Sequence, residues 1–288
     1  MMPWVESFDQ PTTIPEALRL IRRGGRGARF VAGATDLLVQ RDRSIRFLID
    51  VTRLRLDYLK RQRGGLAIGA TTTMTTLEHS PVIRRLADGI LAQAAATCGS
   101  VQNRNLATLG GNLANASPAG DTAVPLLVLD AEVVMANLKG RRRLPLDQFF
   151  HGLHKTALSG ALLVEIFVPA SPRGRAAWSF QKMGRVESDI SIVNAAVGLG
   201  LDKQGRCLWA RIAMGAVAPT PLRMYQAEKL LEGKRLDRGI VEEVSEQVSK
   251  DVAPITDVRA SESYRREMSR VLVRRALLEC AAGIGEKP

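Results

Sequence analysis

The chain has 288 residues, of which 45% are hydrophobic and 24% are charged, and its formal net charge at pH 7 is +12. These values are typical of a soluble protein with room for two domains, and no stretch is long and apolar enough to predict a membrane span. The N-terminus carries acidic residues early and lacks the basic and then apolar pattern of a signal peptide, so we expect a cytoplasmic location.

The three cysteines, Cys98, Cys207 and Cys280, lie far apart in the sequence. We therefore expect no disulfide framework and no iron–sulfur cluster held by cysteines of this chain alone. The positive charge suits a nucleic-acid-binding protein, but the arginines are scattered and aromatic residues make up only 5% of the chain. We favour a basic solvated surface that is complementary to an acidic partner.

In the first half of the chain, residues 13–25 predict a helix. Thr13 and Glu16 have the spacing of a capping box, Pro15 suits a first turn and two glycines follow the apolar pattern. Further strands are predicted at residues 28–33, 46–51, 65–70 and 132–138, and further helices at residues 34–42, 81–96 and 121–131. Residues 140–150 predict a turn followed by a helix.

In the second half, the segment 168–177 contains proline and glycine and is the predicted domain boundary. Three strands are predicted after it at residues 176–183, 190–201 and 207–217, followed by three helices at residues 223–233, 239–252 and 261–280. This order predicts an α+β protein with one domain at residues 1–173 and a second at residues 174–288.

The segment 31–36 (VAGATD) leaves a predicted strand and enters a predicted helix. Such a junction points main-chain N–H groups at whatever lies above the start of the helix, and the helix dipole favours an anion there. Taken alone the signal is weak, because any strand needs a turn to reach a helix.

The segment 106–121 (LATLGGNLANASPAGD) contains almost no group for acid–base or nucleophilic chemistry. Its two adjacent glycines lack the Cβ atom that would keep a ligand away from the main chain, and Thr108, Asn112 and Ser117 can donate hydrogen bonds to phosphate oxygens. Neither glycine segment has the spacing of a Walker A or a classical dinucleotide motif. Asp121 could accept hydrogen bonds from cofactor hydroxyl groups or cap the next helix. These features favour a cofactor cradle over a hydrolytic site.

Four motifs occur in order along the chain: AGATDLL at 32–38, ATLGGNLANASPAGDTAVPLLVLDA at 107–131, QKMGRVESDISIV at 181–193 and MGAVAPTPLR at 214–223. Together they resemble the FAD-binding (medium) subunit of the molybdenum hydroxylase family, the xanthine dehydrogenase, carbon monoxide dehydrogenase and 4-hydroxybenzoyl-CoA reductase type. The resemblance covers nearly the whole chain. It implies a two-subdomain FAD-binding domain of the PCMH type, with subdomains of about 1–56 and 57–173, followed by a C-terminal domain with a three-stranded antiparallel sheet and helices.

The resemblance also implies a function. The chain would carry FAD and transfer electrons from [2Fe–2S] clusters of a small subunit to NAD or another acceptor. A large subunit would hold molybdopterin, and the assembly would be a dimer of heterotrimers. No catalytic residue and no metal ligand is implied in this chain.

The residues that the resemblance implies for FAD fall into two groups. One side of a pyrophosphate clamp would consist of Ala32, Gly33, Ala34, Thr35 and Asp36, and the other side of Thr108, Gly110, Gly111 and Asn112. Val31 and Leu37, which flank the first side in the sequence, would also bind the cofactor. Asp121 would contact the ribityl or ribose part, Leu163 would pack on a ring, and Lys182 would lie near the flavin. We expect Gly110→Val and Gly111→Val each to remove FAD while leaving much of the fold intact.

Two positions depart from the family pattern. Ala34 stands where a second glycine is usual, so this residue must have a negative φ or bear strain. Asn103 stands where an aliphatic residue is commoner, which affects the packing under the second segment.

Two other hypotheses stay open. A self-sufficient flavin oxidoreductase of the same fold needs a substrate pocket with converging polar groups, for which the sequence shows no clear candidate. A basic nucleic-acid-binding protein would use the glycine segments only as turns. His151 and His154 have H-x-x-H spacing but no third ligand nearby, which predicts two solvated imidazoles on a surface loop.

Overall fold

A computed structural model describes residues 2–172 and 174–285 of the chain. Helices and strands are mixed along these residues, and the strands form three main sheets and one small hairpin. The α+β class predicted from the sequence is confirmed. None of the described helices is long and apolar enough to cross a membrane. The predicted domain boundary falls at Arg173, which lies outside the described residues.

The N-terminal layer is a three-stranded parallel sheet with strand order β1-β3-β2. Its elements are β1 (Ser7–Asp9), α1 (Ile14–Gly24), β2 (Ala28–Val31), α2 (Leu37–Gln40) and β3 (Phe47–Asp50). Thr13 caps α1 as predicted, because its side chain accepts a hydrogen bond from the main-chain N–H of Glu16. Apolar residues of α1 and β3 form one core with the five-stranded sheet of the middle layer, described next.

The middle layer is a five-stranded antiparallel sheet with strand order β4-β5-β10-β6-β7. Its strands are β4 (Leu59–Gln62), β5 (Gly65–Gly69), β6 (Glu132–Asn137), β7 (Gly140–Pro145) and β10 (Leu162–Pro169), and β8 (Phe150–Gly152) and β9 (Lys155–Thr156) form the small hairpin. Its helices are α3 (Met74–His79), α4 (Pro81–Arg84), α5 (Ile90–Ala96), α6 (Val101–Leu106), α7 (Leu109–Asn115) and α8 (Ala123–Val128). Apart from α6, which is exposed and contacts α3, these helices cover one face of the sheet, and the N-terminal layer packs on the other face.

The C-terminal layer is an antiparallel sheet with strand order β11-β12-β13-β14. Its elements are β11 (Arg175–Met183), β12 (Val193–Leu201), β13 (Cys207–Gly215), β14 (Leu222–Arg223), α9 (Tyr225–Leu231), α10 (Arg238–Asp251) and α11 (Glu262–Ile284). The three long strands agree with the prediction, and the two-residue β14 adds a short fourth strand beside β13. Helices α10 and α11 form a core with one face of this sheet.

Three local predictions differ from the structure. The helix predicted at 81–96 is divided into α4 and α5, because Ala87, Asp88 and Gly89 all have positive φ values between them. Residues 140–145 form the edge strand β7 and only one helical turn follows at Leu146–Gln148. The charged side chains of β7 suit an edge position, where they discourage further strand pairing. The second glycine segment, for which no helix was predicted before residue 121, contains α7, which begins at Leu109.

Candidate cofactor site

A cleft of about 570 Å³ lies between the N-terminal layer and α7. Its volume is within the range of small-molecule and cofactor sites, about 300–1,000 Å³. The cleft brings together most of the sequence-predicted site residues, although they come from two distant segments. Those that line it are Val31, Ala32, Gly33, Ala34, Thr35, Asp36, Leu37, Thr108, Gly111 and Asn112.

The first glycine segment, residues 31–36, lines this cleft and carries main-chain N–H groups without a protein partner among the described residues. Within the part of the chain that the structure describes, the main-chain N–H groups of residues 32–36 donate no hydrogen bond to another protein atom. The carbonyl groups of Ala34 and Asp36, in contrast, accept hydrogen bonds from the start of α2. Because main-chain N–H groups need a partner, this row of donors is available to water or to an anionic ligand.

Ala34 adopts the strained alternative that the sequence left open. Its φ of 58° lies in the left-handed region, which costs a residue other than glycine about 1–2 kcal/mol. The same conformation lets its carbonyl oxygen accept a hydrogen bond from Leu38 at 3.0 Å and so begins α2. The segment therefore turns as tightly as one with glycine at this position, but at a cost in stability.

Gly33 brings the two segments into contact. An added Cβ atom at Gly33 would lie 1.8 Å from the carbonyl oxygen of Leu106 and 3.0 Å from the main-chain nitrogen of Ala107. No side chain fits in such a space, so the main chains of the two segments meet directly here. Gly33 is thus required for the meeting of the two segments, whatever the cleft binds.

The two glycines of α7 have different surroundings. Gly111 is exposed and lines the cleft, and an added Cβ atom would approach only Thr108 Oγ1, at 2.8 Å. Gly110 is buried and does not line the cleft, because an added Cβ atom would lie 2.7 Å from both the Cβ atom and the carbonyl oxygen of Ala70. Gly110 therefore serves the packing of α7, and Gly110→Val would disrupt this packing, contrary to the expectation that it leaves the fold intact.

The first N–H groups of α7 are already paired within the protein. The N–H of Leu109 donates to the Thr72 carbonyl at 2.9 Å, that of Gly110 to the Ala70 carbonyl at 2.8 Å, and that of Gly111 to Thr108 Oγ1 at 3.1 Å. This side of the cleft therefore offers side-chain donors in place of free main-chain donors. Thr108 keeps its hydroxyl hydrogen, and Asn112 keeps its Nδ2 group because its Oδ1 accepts from the Thr122 hydroxyl at 2.6 Å.

Asp121 and Lys182 do not line the cleft. They form a buried ion pair with 2.8 Å between Lys182 Nζ and Asp121 Oδ2, and their side chains are 8% and 6% exposed. Asp121 also accepts hydrogen bonds from Ser191 at 2.5 Å, Asn194 at 2.8 Å and Thr97 at 3.3 Å. Both carboxylate oxygens are thus occupied by protein donors, several of which belong to the C-terminal layer. In this structure Asp121 joins the middle and C-terminal layers.

Leu163 is also outside the cleft. It lies in β10 opposite Met135 of β6 and is 5% exposed in the core of the middle layer. Leu158 and Ala161, which come shortly before β10, line the cleft instead. The predicted contact of Leu163 with a ring of FAD therefore lies outside this cleft.

Five polar or charged residues that line the cleft were missed in the sequence: Arg29, Gln40, Asp42, Asn115 and His154. Asn115 Nδ2 donates to Asp36 at 3.0 Å and its Oδ1 accepts from Gln40 at 3.0 Å, so it links α7 to the first glycine segment. Asn115 lies four residues after Gly111, on the same face of α7, and a helical interpretation of the segment would have found it. Nothing in the sequence indicated that His154 lines the cleft, although the prediction of a solvated loop residue is confirmed, because His154 is exposed between β8 and β9.

Asp36 is the acidic group beside this cluster. Burial raises the pKa of its carboxyl group, and the neighbouring His154 opposes this effect. The charged residues that line the cleft are Arg29, Asp36, Asp42 and His154. The cleft thus contains few fixed charges, and its main binding groups are main-chain N–H groups, amides and hydroxyls.

Comparisons with known families agree with this arrangement. The family model described as the FAD binding domain in molybdopterin dehydrogenase matches residues 6–171. A second model, described as the CO dehydrogenase flavoprotein C-terminal domain, matches residues 178–280. These matches define an FAD-binding flavoprotein.

Relatives and solved structures extend the likeness over the whole chain. A putative xanthine dehydrogenase FAD-binding subunit of Escherichia coli (strain K12) is 32% identical and covers 98% of each chain. The carbon monoxide dehydrogenase medium chain of Hydrogenophaga pseudoflava is 31% identical over 96% of this chain and 97% of its own. A solved structure of carbon monoxide dehydrogenase from Hydrogenophaga pseudoflava superposes with a TM-score of 0.93 at 31% identity, covering 98% of this chain and 99% of the other.

The chain belongs to the FAD-binding medium subunits of the molybdenum hydroxylase family. It is an oxidoreductase flavoprotein subunit whose cofactor is FAD.

Proposed function

We propose that this chain is the electron-transfer subunit of a molybdenum-containing hydroxylase or dehydrogenase complex, and that it holds FAD in the cleft. The observation that carries the proposal is the row of unpaired N–H groups at residues 32–36, which lines the same cleft as the exposed Gly111. Such main-chain donors, close to the start of a helix, bind phosphate groups well. A family whose model is an FAD-binding domain supplies the matching ligand.

In this proposal the residues of the cleft bind and orient the cofactor. The N–H groups of residues 32–36 hold the diphosphate from one side, and the Thr108 hydroxyl and the Asn112 amide donate from the other side. Gly111 leaves room for the close approach of a phosphate oxygen, because it carries no Cβ atom. When bound, FAD supplies the redox chemistry through its isoalloxazine ring.

The Asp121–Lys182 pair has a positioning role in the proposal. It fixes the C-terminal layer against the helices of the middle layer, and Asn112 lies close to it through its hydrogen bond with Thr122. The pair thereby sets the position of Asn112 and of the C-terminal sheet relative to the cleft. Leu163 supports the segment that leads into the cleft wall at Leu158 and Ala161.

The proposal includes partner subunits. Relatives are named as medium chains or as a subunit of a dehydrogenase complex. We therefore propose that a small subunit with [2Fe–2S] clusters donates electrons, that a large molybdopterin subunit acts on the organic substrate, and that NAD or another acceptor receives the electrons. The proposed assembly is a dimer of heterotrimers in the cytoplasm.

A pair of glycine variants tests the binding site. Gly111→Val places a branched side chain where a phosphate should approach, so we expect a loss of at least about tenfold in FAD affinity. Gly239→Val is the matched control, because Gly239 is also exposed in the first turn of a helix, and its added Cβ atom would lie 3.2 Å from its capping side chain. FAD content is measured by absorbance after equilibrium dialysis, with circular dichroism to confirm folding.

The outcome separates the hypotheses. Full FAD content in Gly239→Val with depleted FAD in a folded Gly111→Val supports the proposed site. Equal FAD content in both variants contradicts it. Turnover of an organic substrate by the isolated chain, without iron or molybdenum, would instead favour a self-sufficient flavin oxidoreductase.

A further inference from the structure

His154 is held against the end of α7 by two hydrogen bonds. Its main-chain N–H donates to the carbonyl of Ala116 at 3.2 Å, and its ring Nδ1 lies 2.7 Å from the carbonyl oxygen of Asn115. Its φ of 53° lies in the left-handed region, which histidine tolerates better than most residues. The loop that carries it, between β8 and β9, is therefore fixed relative to α7.

The hydrogen bond determines which ring nitrogen is available. A carbonyl oxygen can only accept, so Nδ1 carries the proton in this bond. Within the part of the chain that the structure describes, Nε2 has no protein hydrogen-bond partner. Since His154 lines the cleft, the neutral ring offers an acceptor there, and the protonated ring offers a second N–H donor and a positive charge.

The other charged residues of the cleft show why the protonated state of the His154 ring matters for binding an anion. Arg29 is the other basic residue in its lining, and its Nη1 donates to the carbonyl groups of Arg26 and Ala28, near Asp42. Asp36 and Asp42 add negative charge to the lining. His154, which is hydrogen-bonded directly to the end of α7, is therefore the other side chain in the lining that can carry a positive charge.

We propose that His154 binds the diphosphate through its protonated ring and thereby makes FAD affinity depend on pH. The inference rests on the proposed function, because it assumes that the cleft holds the diphosphate. The bound state favours the protonated ring, so binding takes up protons and affinity falls as the pH rises through the range where imidazole side chains lose their proton.

The charged groups near His154 determine the pH interval in which binding should be measured. Asp36 approaches it from the first glycine segment, and burial raises the pKa of this carboxyl group while His154 opposes the rise. Lys155 is its neighbour on the same loop and is exposed. The end of α7 presents the neutral Asn115, whose amide donates to Asp36. The interval from about pH 6 to about pH 8 spans the usual range of imidazole side chains, and comparison with a variant that lacks the ring separates its effect from that of Asp36.

The experiment measures the FAD dissociation constant of the apoprotein at several pH values in this interval, by quenching of flavin fluorescence. We expect the wild-type affinity to be about fivefold higher at the acidic end, the effect of one partly solvated charge-assisted hydrogen bond. His154→Asn keeps a residue that tolerates a positive φ but cannot become charged, and its affinity should not change with pH. His151→Asn is the matched control, because His151 is exposed on β8 and does not line the cleft.

Calorimetry in two buffers of different ionisation enthalpy provides a second measurement. It should detect net proton uptake near neutral pH on FAD binding to the wild type and to His151→Asn, and none to His154→Asn. If His154→Asn keeps the wild-type pH dependence and proton uptake, the inference is wrong and Asp36 is responsible. Tight binding to all three proteins with no pH dependence also overturns it, although the proposed function stands. Absence of FAD binding to every protein overturns both.

Discussion

The buried pair between Asp121 and Lys182 provides a stringent test of how the layers are joined. Lys182→Met removes the ammonium group but keeps an unbranched side chain of similar length. The carboxylate of Asp121 stays buried and keeps three neutral donors, from Ser191, Asn194 and Thr97. The carbonyl of Thr97 also loses the hydrogen bond that Lys182 donates at 2.8 Å.

The magnitude follows from these contacts. Leaving a buried carboxylate without its cation costs about 3 kcal/mol even when other donors remain, and the unpaired carbonyl adds about 1 kcal/mol. We therefore expect Lys182→Met to lower the free energy of unfolding by about 4 kcal/mol. Adding Asp121→Asn removes the uncompensated charge and should restore about half of this loss.

Urea unfolding followed by tryptophan fluorescence measures the effect, because Trp178 and Trp209 lie in the C-terminal sheet. Lys234→Met is the matched control, since its pair with Glu243 has a distance of 3.6 Å and both side chains are about half exposed. The control should change the free energy of unfolding by less than about 1 kcal/mol. If Lys182→Met has no larger effect than Lys234→Met, the pair does not join the layers as described.

Two further predictions concern backbone strain and acid stability. Ala34→Gly relieves the left-handed conformation at φ 58°, so it should stabilise the chain by about 0.5–1 kcal/mol and raise Tm by about 2 °C in calorimetry; a lower Tm would contradict the strain. Burial tends to raise the pKa of Asp257, but hydrogen bonds from the N–H of Arg259 and the guanidinium of Arg265 lower it to about 2. Because the folded-state pKa is lowered, the stabilisation is present above about pH 4 and is lost as the pH falls towards 2. Asp257→Asn should lack this acid-dependent loss, and an unchanged pH profile of urea unfolding would show that Asp257 does not cause it.

Local signals made much of the fold predictable. The cap of α1 depends on Thr13 and Glu16, which are three residues apart, and the structure confirms it. The long strands of the C-terminal sheet follow from apolar runs that a buried sheet requires. The break between α4 and α5 was not predictable, because Asp88 adopts its positive φ where its carboxylate accepts the N–H of Trp178, 90 residues away.

The site was predictable to a similar extent. The sequence indicated both glycine segments, and the contact at Gly33 explains why they meet. The sequence did not indicate which glycine packs against the protein and which faces the cleft. Gly110 and Gly111 are adjacent in the sequence, and only the position of Ala70 distinguishes their roles. Asp121 has partners 61 and 73 residues away, in Lys182 and Asn194. No local pattern could show that its carboxylate is occupied by the protein.

In the proposed site, the unpaired N–H groups of residues 32–36 and the side chains at the start of α7 hold one diphosphate between them. A crystal structure of the chain with FAD tests it most directly. We expect phosphate oxygens about 3 Å from main-chain nitrogens of residues 32–36, with Gly111 and His154 lining the same site. A diphosphate bound elsewhere on the chain, with these N–H groups facing only water, would contradict the account.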